Sequence, residues 1–496
     1  MPLQLLFCLF AGALIAPSLA PFNIPYLVLL PPAILYLCSC NASTKNAAWL
    51  GWFFGLGFFG SGVSWVYVSI SEHSATPAPA AVALTILFVA GLAILFALQS
   101  YIWRKFFSAR WIALSFAAIW VLFEWLRSWL FTGFPWLYLG NAALDTPLQN
   151  LIPVGGVWLA SLSIAIIAVC SAEFLRQRTL LPILFLPLPL IGSYLLPTEW
   201  TTSKQEPLGI AIVQPNIPQS IKWEPEQRQK ILEKYITLSS KHLDTELLLW
   251  PETAIPALFR NVAAPLGKDL DIIDSNKVTL ISGMPSIVPD QQHPKGYRVH
   301  NSLAVLTTGS GIYHKQRLVP FGEYLPMEAL LRGALDFFNL PMSSFSIPKK
   351  EQPLLYLGSH TLAPAICYEI AYPELVRRSA TKADLILTVS NDTWFGDSIA
   401  PAQHLQIAQV RALENGRWVI RGTNNGITAL INHRGEIISQ LPQFQEGVLR
   451  GQAEAMEGLT PFQIYGSLPV ILGCFLLVVI GLGARKYQDK NPYPDY

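Results

Sequence analysis

Leu362-Ala363-Pro364-Ala365-Ile366-Cys367-Tyr368-Glu369 reads as a short apolar strand that ends by presenting a thiol, with an acid two residues on. Around it, from Pro207 to about Gly451, short β-branched runs alternate with polar stretches of helical character. Strands are expected at Leu208–Val213, Glu246–Trp250, Lys277–Ser282, Ser302–Thr307, Leu362–Cys367, Asp384–Ser390, Trp418–Thr423 and Ile427–Asn432, and helices at Pro225–His242 and Pro401–Glu414. Strands interleaved with helices predict a layered α/β or α+β domain.

In such folds reactive groups gather just beyond the carboxyl ends of central strands. Leu247-Leu248-Leu249-Trp250-Pro251-Glu252 is a second strand of this kind, broken by a proline and presenting a carboxylate. The stretch Tyr313-His314-Lys315-Gln316-Arg317-Leu318-Val319-Pro320-Phe321-Gly322-Glu323 places a lysine beside a turn with another acid. A thiol with an ordinary pKa near ~8.5 needs a base or a nearby cation to become a competent nucleophile. Glu252 is suited to take the proton and Lys315 to stabilise an oxyanion. Taken singly, each also reads as a surface carboxylate or a solvated loop lysine, and the residues alone leave both readings open.

Outside this stretch the chain changes character. Hydrophobic residues make up 52% of it and charged residues 13%, about half the charged share of a soluble protein. A spanning helix needs roughly 20 mostly apolar residues, and candidates lie near 2–19, 22–40, 47–70, 78–103, 110–131, 150–172, 180–197 and 465–484. The first resembles a signal peptide in ending at Ser18-Leu19-Ala20, but it lacks a basic n-region and is expected to remain as a helix. With a cytoplasmic N-terminus, the inside loops and tail hold Lys45, Arg104, Lys105, Arg110, Arg176, Arg178, Arg485, Lys486 and Lys490, whereas the outside loops before residue 200 hold Arg127. That bias places both termini inside and the central domain outside. Three regions are expected: a membrane domain at 1–200, a catalytic domain at 206–455, and a final span with its tail at 456–496.

Cys8, Cys38, Cys40, Cys170 and Cys474 fall in or beside the spans, which leaves Cys367 as the single cysteine of the central domain. An unpaired thiol in an oxidising compartment is either a working residue or a buried small hydrophobe. The net charge of +2, without a basic run, sets nucleic acid aside as a partner.

Trp-Pro-Glu252-Thr, Tyr-His-Lys315-Gln and Ile-Cys367-Tyr-Glu resemble, in order and context, the Glu-Lys-Cys triad of the nitrilase (carbon–nitrogen hydrolase) superfamily. Gln214–Gln219, Leu318–Pro326, Ser390–Asp397, Arg421–Gly426, Gly60–Tyr67 and Thr132–Leu137 narrow the resemblance to the apolipoprotein N-acyltransferase family, over nearly the whole chain. The resemblance implies a multi-span α-helical membrane domain with an inserted αββα sandwich, in a bacterial inner membrane with the sandwich on the periplasmic side. It implies that Cys367 takes the sn-1 acyl chain of a phosphatidylethanolamine-like phospholipid as a thioester. The chain then passes to the α-amine of a diacylglyceryl-cysteine at the N-terminus of an apolipoprotein, with no metal or cofactor. Glu252 is implied as general base and Lys315 as oxyanion support. Glu323 and Glu369 are implied as further acids that hold Lys315 and shape the pocket, and Tyr368 and Trp223 as substrate-handling aromatics.

Asn391, Trp394 and His404 lie in matching strings without an assigned role. Glu124 and Arg127, three apart on one helical face, suit either a structural pair or a functional one. The apolar stretch Met327–Leu340, with Phe337 and Phe338, reads as an arm that dips into lipid or as a helix on the core. Two rivals remain: a membrane-tethered amidase that uses water as second nucleophile, and a transporter, against which the spans carry few ionisable residues and no repeat of broken helices.

Overall fold

A computed structural model describes residues 1–73, 76–107, 112–178, 184–320, 322–324 and 345–490. The expected arm at Met327–Leu340 lies outside the described residues. The chain divides into two compact units. One comprises Met1–Tyr67, Ala78–Thr198 and Ile464–Tyr496; the other comprises Val68–Pro77 and Glu199–Gln463.

The second unit holds twelve strands among the described residues: β1 Thr202–Gln214, β2 Leu247–Leu249, β3 Thr279–Pro289, β4 Tyr297–Val305, β5 Ile312–His314, β6 Leu355–Leu357, β7 His360–Ile366, β8 Leu385–Ser390, β9 Val419–Thr423, β10 Thr428–Ile431, β11 Ile437–Leu441 and β12 Gly447–Glu457. They form two six-stranded sheets, ordered β12-β1-β2-β3-β4-β5 and β11-β10-β9-β8-β7-β6. At the centre of each, three strands run parallel: β1-β2-β3, with Ile212 beside Leu249 and Leu249 beside Ile281, and β7-β8-β9, with Ile366 beside Val389 and Ser390 beside Thr423. All eight expected strands are present. The short flanking strands β5, β6 and β11 and the long β12 were not anticipated.

The side-chain period of two decides which face each residue serves. Leu208, Ile210 and Ile212 of β1, with Leu247 and Leu249 of β2, point between the sheets and meet Leu362, Ile366, Leu385, Leu387, Val389, Ile420 and Leu430 of the other sheet. Their neighbours Ala211, Val213, Leu248 and Trp250 face outward, onto Ile231, Leu232 and Tyr235 of helix Arg228–Ser239 and Leu266, Leu270 and Ile273 of helix Ala263–Ser275. Helices Pro373–Ala380 and Ala400–Asn415 cover the second sheet at β7 and β9. The result is the expected αββα sandwich. Each buried aliphatic side chain contributes roughly 1.5–3 kcal/mol, so the inner layer fixes how the two sheets register.

The other unit is helical. Helices Ala78–Phe106 and Gln149–Gln177 are long and apolar enough to cross a membrane, and a third span results if the broken pair Thr44–Gly62 and Val66–His73 is counted as one. Pro2–Ser18, Pro25–Cys40 and Leu468–Gly483 are apolar but shorter. The expected span at 47–70 therefore departs from a continuous helix after Gly62, and the described part of 180–197 forms the eight-residue helix Leu188–Leu195. Glu124 accepts hydrogen bonds from Trp120 Nε1 (3.1 Å) and the Leu139 amide (2.9 Å). Arg127 donates to the carbonyls of Trp136, Phe134 and Leu137. The Leu139 amide and the three carbonyls tie both charged groups to the loop that follows helix Ile112–Arg127.

Candidate active site

Three chain segments leave the sandwich at one end and bring the expected residues together. β2 stops at Leu249 because Pro251 has no amide to continue the ladder, and Glu252 follows it, 4% exposed. β5 ends at His314, and Lys315 comes next, 1% exposed. β7 ends at Ile366 and Cys367 opens a 3-10 turn. Its backbone lies in the left-handed region at φ +53°, a conformation that costs a non-glycine residue about 1–3 kcal/mol and needs over-determined surroundings.

Lys315 Nζ lies 2.9 Å from Glu323 Oε1 and 3.3 Å from Glu252 Oε1. Asn301 Nδ2, from β4, bridges the same two oxygens at 2.8 and 3.0 Å. The second oxygen of Glu252 accepts from the Asn391 amide at 2.8 Å, and that of Glu323 from the Val319 amide at 2.8 Å. Each carboxylate is thus held at both oxygens, and the lysine is held between them.

The cysteine is braced from beneath. His404 Nε2 lies 3.1 Å from the Cys367 carbonyl, and Arg421 NH2 lies 3.2 Å from His404 Nδ1. The carbonyl can only accept, so Nε2 carries a proton and donates to it, while Nδ1 lies between Asp392 Oδ1 (3.1 Å) and the Arg421 guanidinium. Arg421 also pairs with Asp392 Oδ2 at 2.7 Å, and Asp392 Oδ1 makes a short hydrogen bond with Ser390. Ser390 Oγ is 3.4 Å from Cys367 Sγ. A Cβ at Gly426 would collide with the Asp392 carboxylate, which accounts for glycine in the string Arg421–Gly426.

Glu369 does not face the lysine. Its Oε2 accepts from the Ile366 amide (2.7 Å) and the Tyr313 hydroxyl (3.0 Å), and its Oε1 from the amides of Gln316 (2.6 Å) and Arg317 (3.1 Å). It ties the lysine-bearing loop to the end of β7. Tyr368 is buried, edge-on to Tyr372 at 5.2 Å. Trp223 is half-buried against the cluster of Leu318 and Phe345, where Trp394 also packs. Trp394 meets His73 at 5.0 Å between ring centres, and its carbonyl accepts from Ser69 Oγ at 2.7 Å. Lys222, Asn301, Ser390, Asp392 and Arg421 were not singled out by the sequence reading. Ser390 and Asp392 flank Asn391 in one quoted string, whereas Asn301 lies inside a strand with nothing local to mark it.

Burial pushes the Cys367 thiol well above its ordinary value, and the nearby Glu252 carboxylate adds to this while Lys315 opposes it. Burial also works against the Lys315 ammonium, but Glu252 and Glu323 outweigh it and hold the lysine charged beyond its ordinary range. Burial raises Glu369 to about 7, against the amides that bond it. It works against the Asp392 carboxylate too, but Arg421 and His404 prevail and bring that group to about 2. The arrangement is a neutral thiol beside a fixed carboxylate and a permanent cation, suited to attack on a carbonyl with proton transfer in the same step.

Such a sandwich with this Glu-Lys-Cys centre defines an enzyme of the carbon–nitrogen hydrolase class that works through a cysteine nucleophile, and residues 209–455 match the Carbon-nitrogen hydrolase family model. Residues 11–170 match the model of the Apolipoprotein N-acyltransferase N-terminal domain. Apolipoprotein N-acyltransferase of Pseudomonas aeruginosa (strain LESB58) is 45% identical, covering 98% of this chain and 97% of its own. Proteins of the same name from Azotobacter vinelandii and Vibrio parahaemolyticus are 42% and 39% identical, over 99% and 97% of this chain and 96% and 97% of theirs. Among solved structures, Saccharomyces cerevisiae Nit3, a member of branch 10 of the nitrilase superfamily, is similar at 15% identity and a TM-score of 0.37, over 58% of this chain and 96% of its own. The chain belongs to the apolipoprotein N-acyltransferase family.

Proposed function

We propose that the protein transfers the sn-1 acyl chain of a phosphatidylethanolamine-like phospholipid to the α-amine of a diacylglyceryl-cysteine at the N-terminus of an apolipoprotein. As Cys367 sulfur attacks the ester carbonyl, Glu252 takes the thiol proton and Lys315 supports the charge developing on the carbonyl oxygen. The ester C–O bond breaks, the leaving lysophospholipid oxygen receives the proton from Glu252, and a thioester remains. The acceptor amine then attacks the thioester, Glu252 takes the amine proton and returns it to the Cys367 sulfur, and the C–S bond breaks as the amide forms, which restores the thiol.

One observation carries this reading: a buried Glu252-Lys315-Cys367 centre sits in a chain whose family match extends over the membrane half as well as the sandwich. The match of residues 11–170 to the Apolipoprotein N-acyltransferase N-terminal domain does not favour the membrane-tethered amidase reading. The basic residues of the loops support an inner-membrane location with the sandwich on the periplasmic side.

Intact mass after incubation with phosphatidylethanolamine tests the reaction class. A gain of one acyl chain, removed by hydroxylamine and missing in Cys367→Ala, is expected. Acyl on another residue, or transfer only to water in the presence of acceptor peptide, would contradict it.

A further inference from the structure

Lys222 and Lys315 are the two buried lysines among the described residues, each 1% exposed. Lys315 belongs to the triad; Lys222 has no part in the reaction as derived above. It sits at the end of the one-turn helix Gln219–Lys222, on the segment that follows β1. That segment is pinned to the active-site loops: the Ile217 amide donates to Asn424 Oδ1 (3.0 Å), Asn424 Nδ2 donates to the Ile217 carbonyl (2.7 Å), and Asn391 Nδ2 donates to Gln219 Oε1 (2.8 Å). The lysine is therefore delivered inward by a fixed stretch of backbone.

Its Nζ donates to the main-chain carbonyl of Glu252 at 3.1 Å, the single hydrogen bond of this ammonium among the described residues. An ammonium has three N–H donors. A buried cation with one partner is unfavourable unless charge nearby compensates it. The compensation comes first from Glu252, and from Cys367 once its thiol is ionised; both oppose the effect of burial, which leaves the lysine at about 8.

Asp392, Glu252 and Glu323 are matched charge for charge only when this lysine is counted with Arg421 and Lys315. Asp392 is matched by Arg421. Glu252 and Glu323 share Lys315, two carboxylates to one ammonium. Glu369 lies beyond them, bonded to Tyr313 and to the amides of the lysine loop and Ile366. When Glu252 takes the thiol proton, the sulfur inherits the negative charge, and Glu323 still occupies Lys315.

We propose that Lys222 is a second cation of the active site, held on the Glu252 backbone, whose charge favours the Cys367 thiolate formed when Glu252 accepts its proton. It acts on the sulfur and on the position of the base, and makes no bond to the acyl group. The inference rests on Cys367 as the nucleophile.

Alkylation of Cys367 by iodoacetamide in the purified full-length protein, followed by mass spectrometry of its peptide between about pH 6 and 10, needs the thiolate but no lipid. Lys222→Gln keeps a donor for the Glu252 carbonyl and removes the charge. It is expected to react about tenfold more slowly than wild type near about pH 7, equivalent to roughly one pKa unit on the thiol. The gap should narrow above about pH 8, where Lys222 itself loses its proton. Lys222→Arg keeps the charge and should stay within about threefold of wild type, without that narrowing. Lys222→Gln within about twofold of wild type near about pH 7, or folded Lys222→Arg as slow as Lys222→Gln, would overturn the proposal. Loss of the folded domain in both Lys222→Gln and Lys222→Met would assign the lysine to structure and overturn it too. Acyl-adduct formation by wild type from phosphatidylethanolamine, measured in the same preparation, reports separately on the transferase reading, so the two can fail independently.

Discussion

The main-chain amide of Asn391 donates to Glu252 Oε2 at 2.8 Å across a separation of 139 residues. Asn391 follows β8 in one sheet and Glu252 follows β2 in the other, so the bond joins the two sheets at the reactive end of the sandwich. With Lys315 and Asn301 on its other oxygen, Glu252 has little freedom to turn away from Cys367.

Glu252→Gln is isosteric and still accepts from the Asn391 amide through its oxygen, so the domain should fold. Acylation of Cys367 in a single turnover should fall by about 10²–10⁴-fold, the usual contribution of a positioned base. A rate within about threefold of wild type would remove Glu252 from proton transfer.

His404→Phe fills the volume of the imidazole but withdraws its hydrogen bond from the Cys367 carbonyl, a loss of about 1 kcal/mol. The left-handed backbone at Cys367 should relax, and acylation should slow by about tenfold with the melting temperature lowered. An unchanged acylation rate in the destabilised variant would show that the brace serves folding alone.

Asp392 provides a test in acid. Its folded-state pKa of about 2 lies below the ordinary 3.8, so the stability it contributes is present above the ordinary value and disappears as pH falls through the folded one. Over that window wild type should lose about 2 kcal/mol more unfolding free energy than Asp392→Asn, whose side chain does not titrate. Equal acid sensitivity in denaturant titrations would argue against the Asp392–Arg421 pair as its source.

The basic residues near the spans predict that residues 206–455 lie outside the cytoplasm and the tail at 485–490 inside. Protease added to intact spheroplasts should cut the central domain and spare the tail. Cutting of the central domain only after the membrane is broken would reverse the topology.

Much of this was legible along the chain because the relevant physics is local. Apolar runs mark the two helices long enough to cross a membrane, Ala78–Phe106 and Gln149–Gln177, and the expected strand at Leu208–Val213 alternates between the inner layer, at Ile210 and Ile212, and the helix-facing layer, at Ala211 and Val213. Glu252, Lys315 and Cys367 were visible as polar residues directly beyond the ends of such strands. β5, Ile312–His314, escaped notice because Tyr313 is its single buried residue.

The sequence by itself determined an apolar, multi-helical half, a layered α/β half, and the three segments whose ends carry Glu252, Lys315 and Cys367. Only the tertiary structure decided which polar groups serve them. Asn301, 49 residues from Glu252, and Lys222, 30 residues from it, find their partners through the stacking and loop pinning of the sandwich. Glu369, three residues from the end of β7, turns from the expected lysine to the amides of Gln316 and Arg317. Local pattern reports whether a side chain is buried, but a buried polar group takes whichever partner the fold brings within about 3 Å.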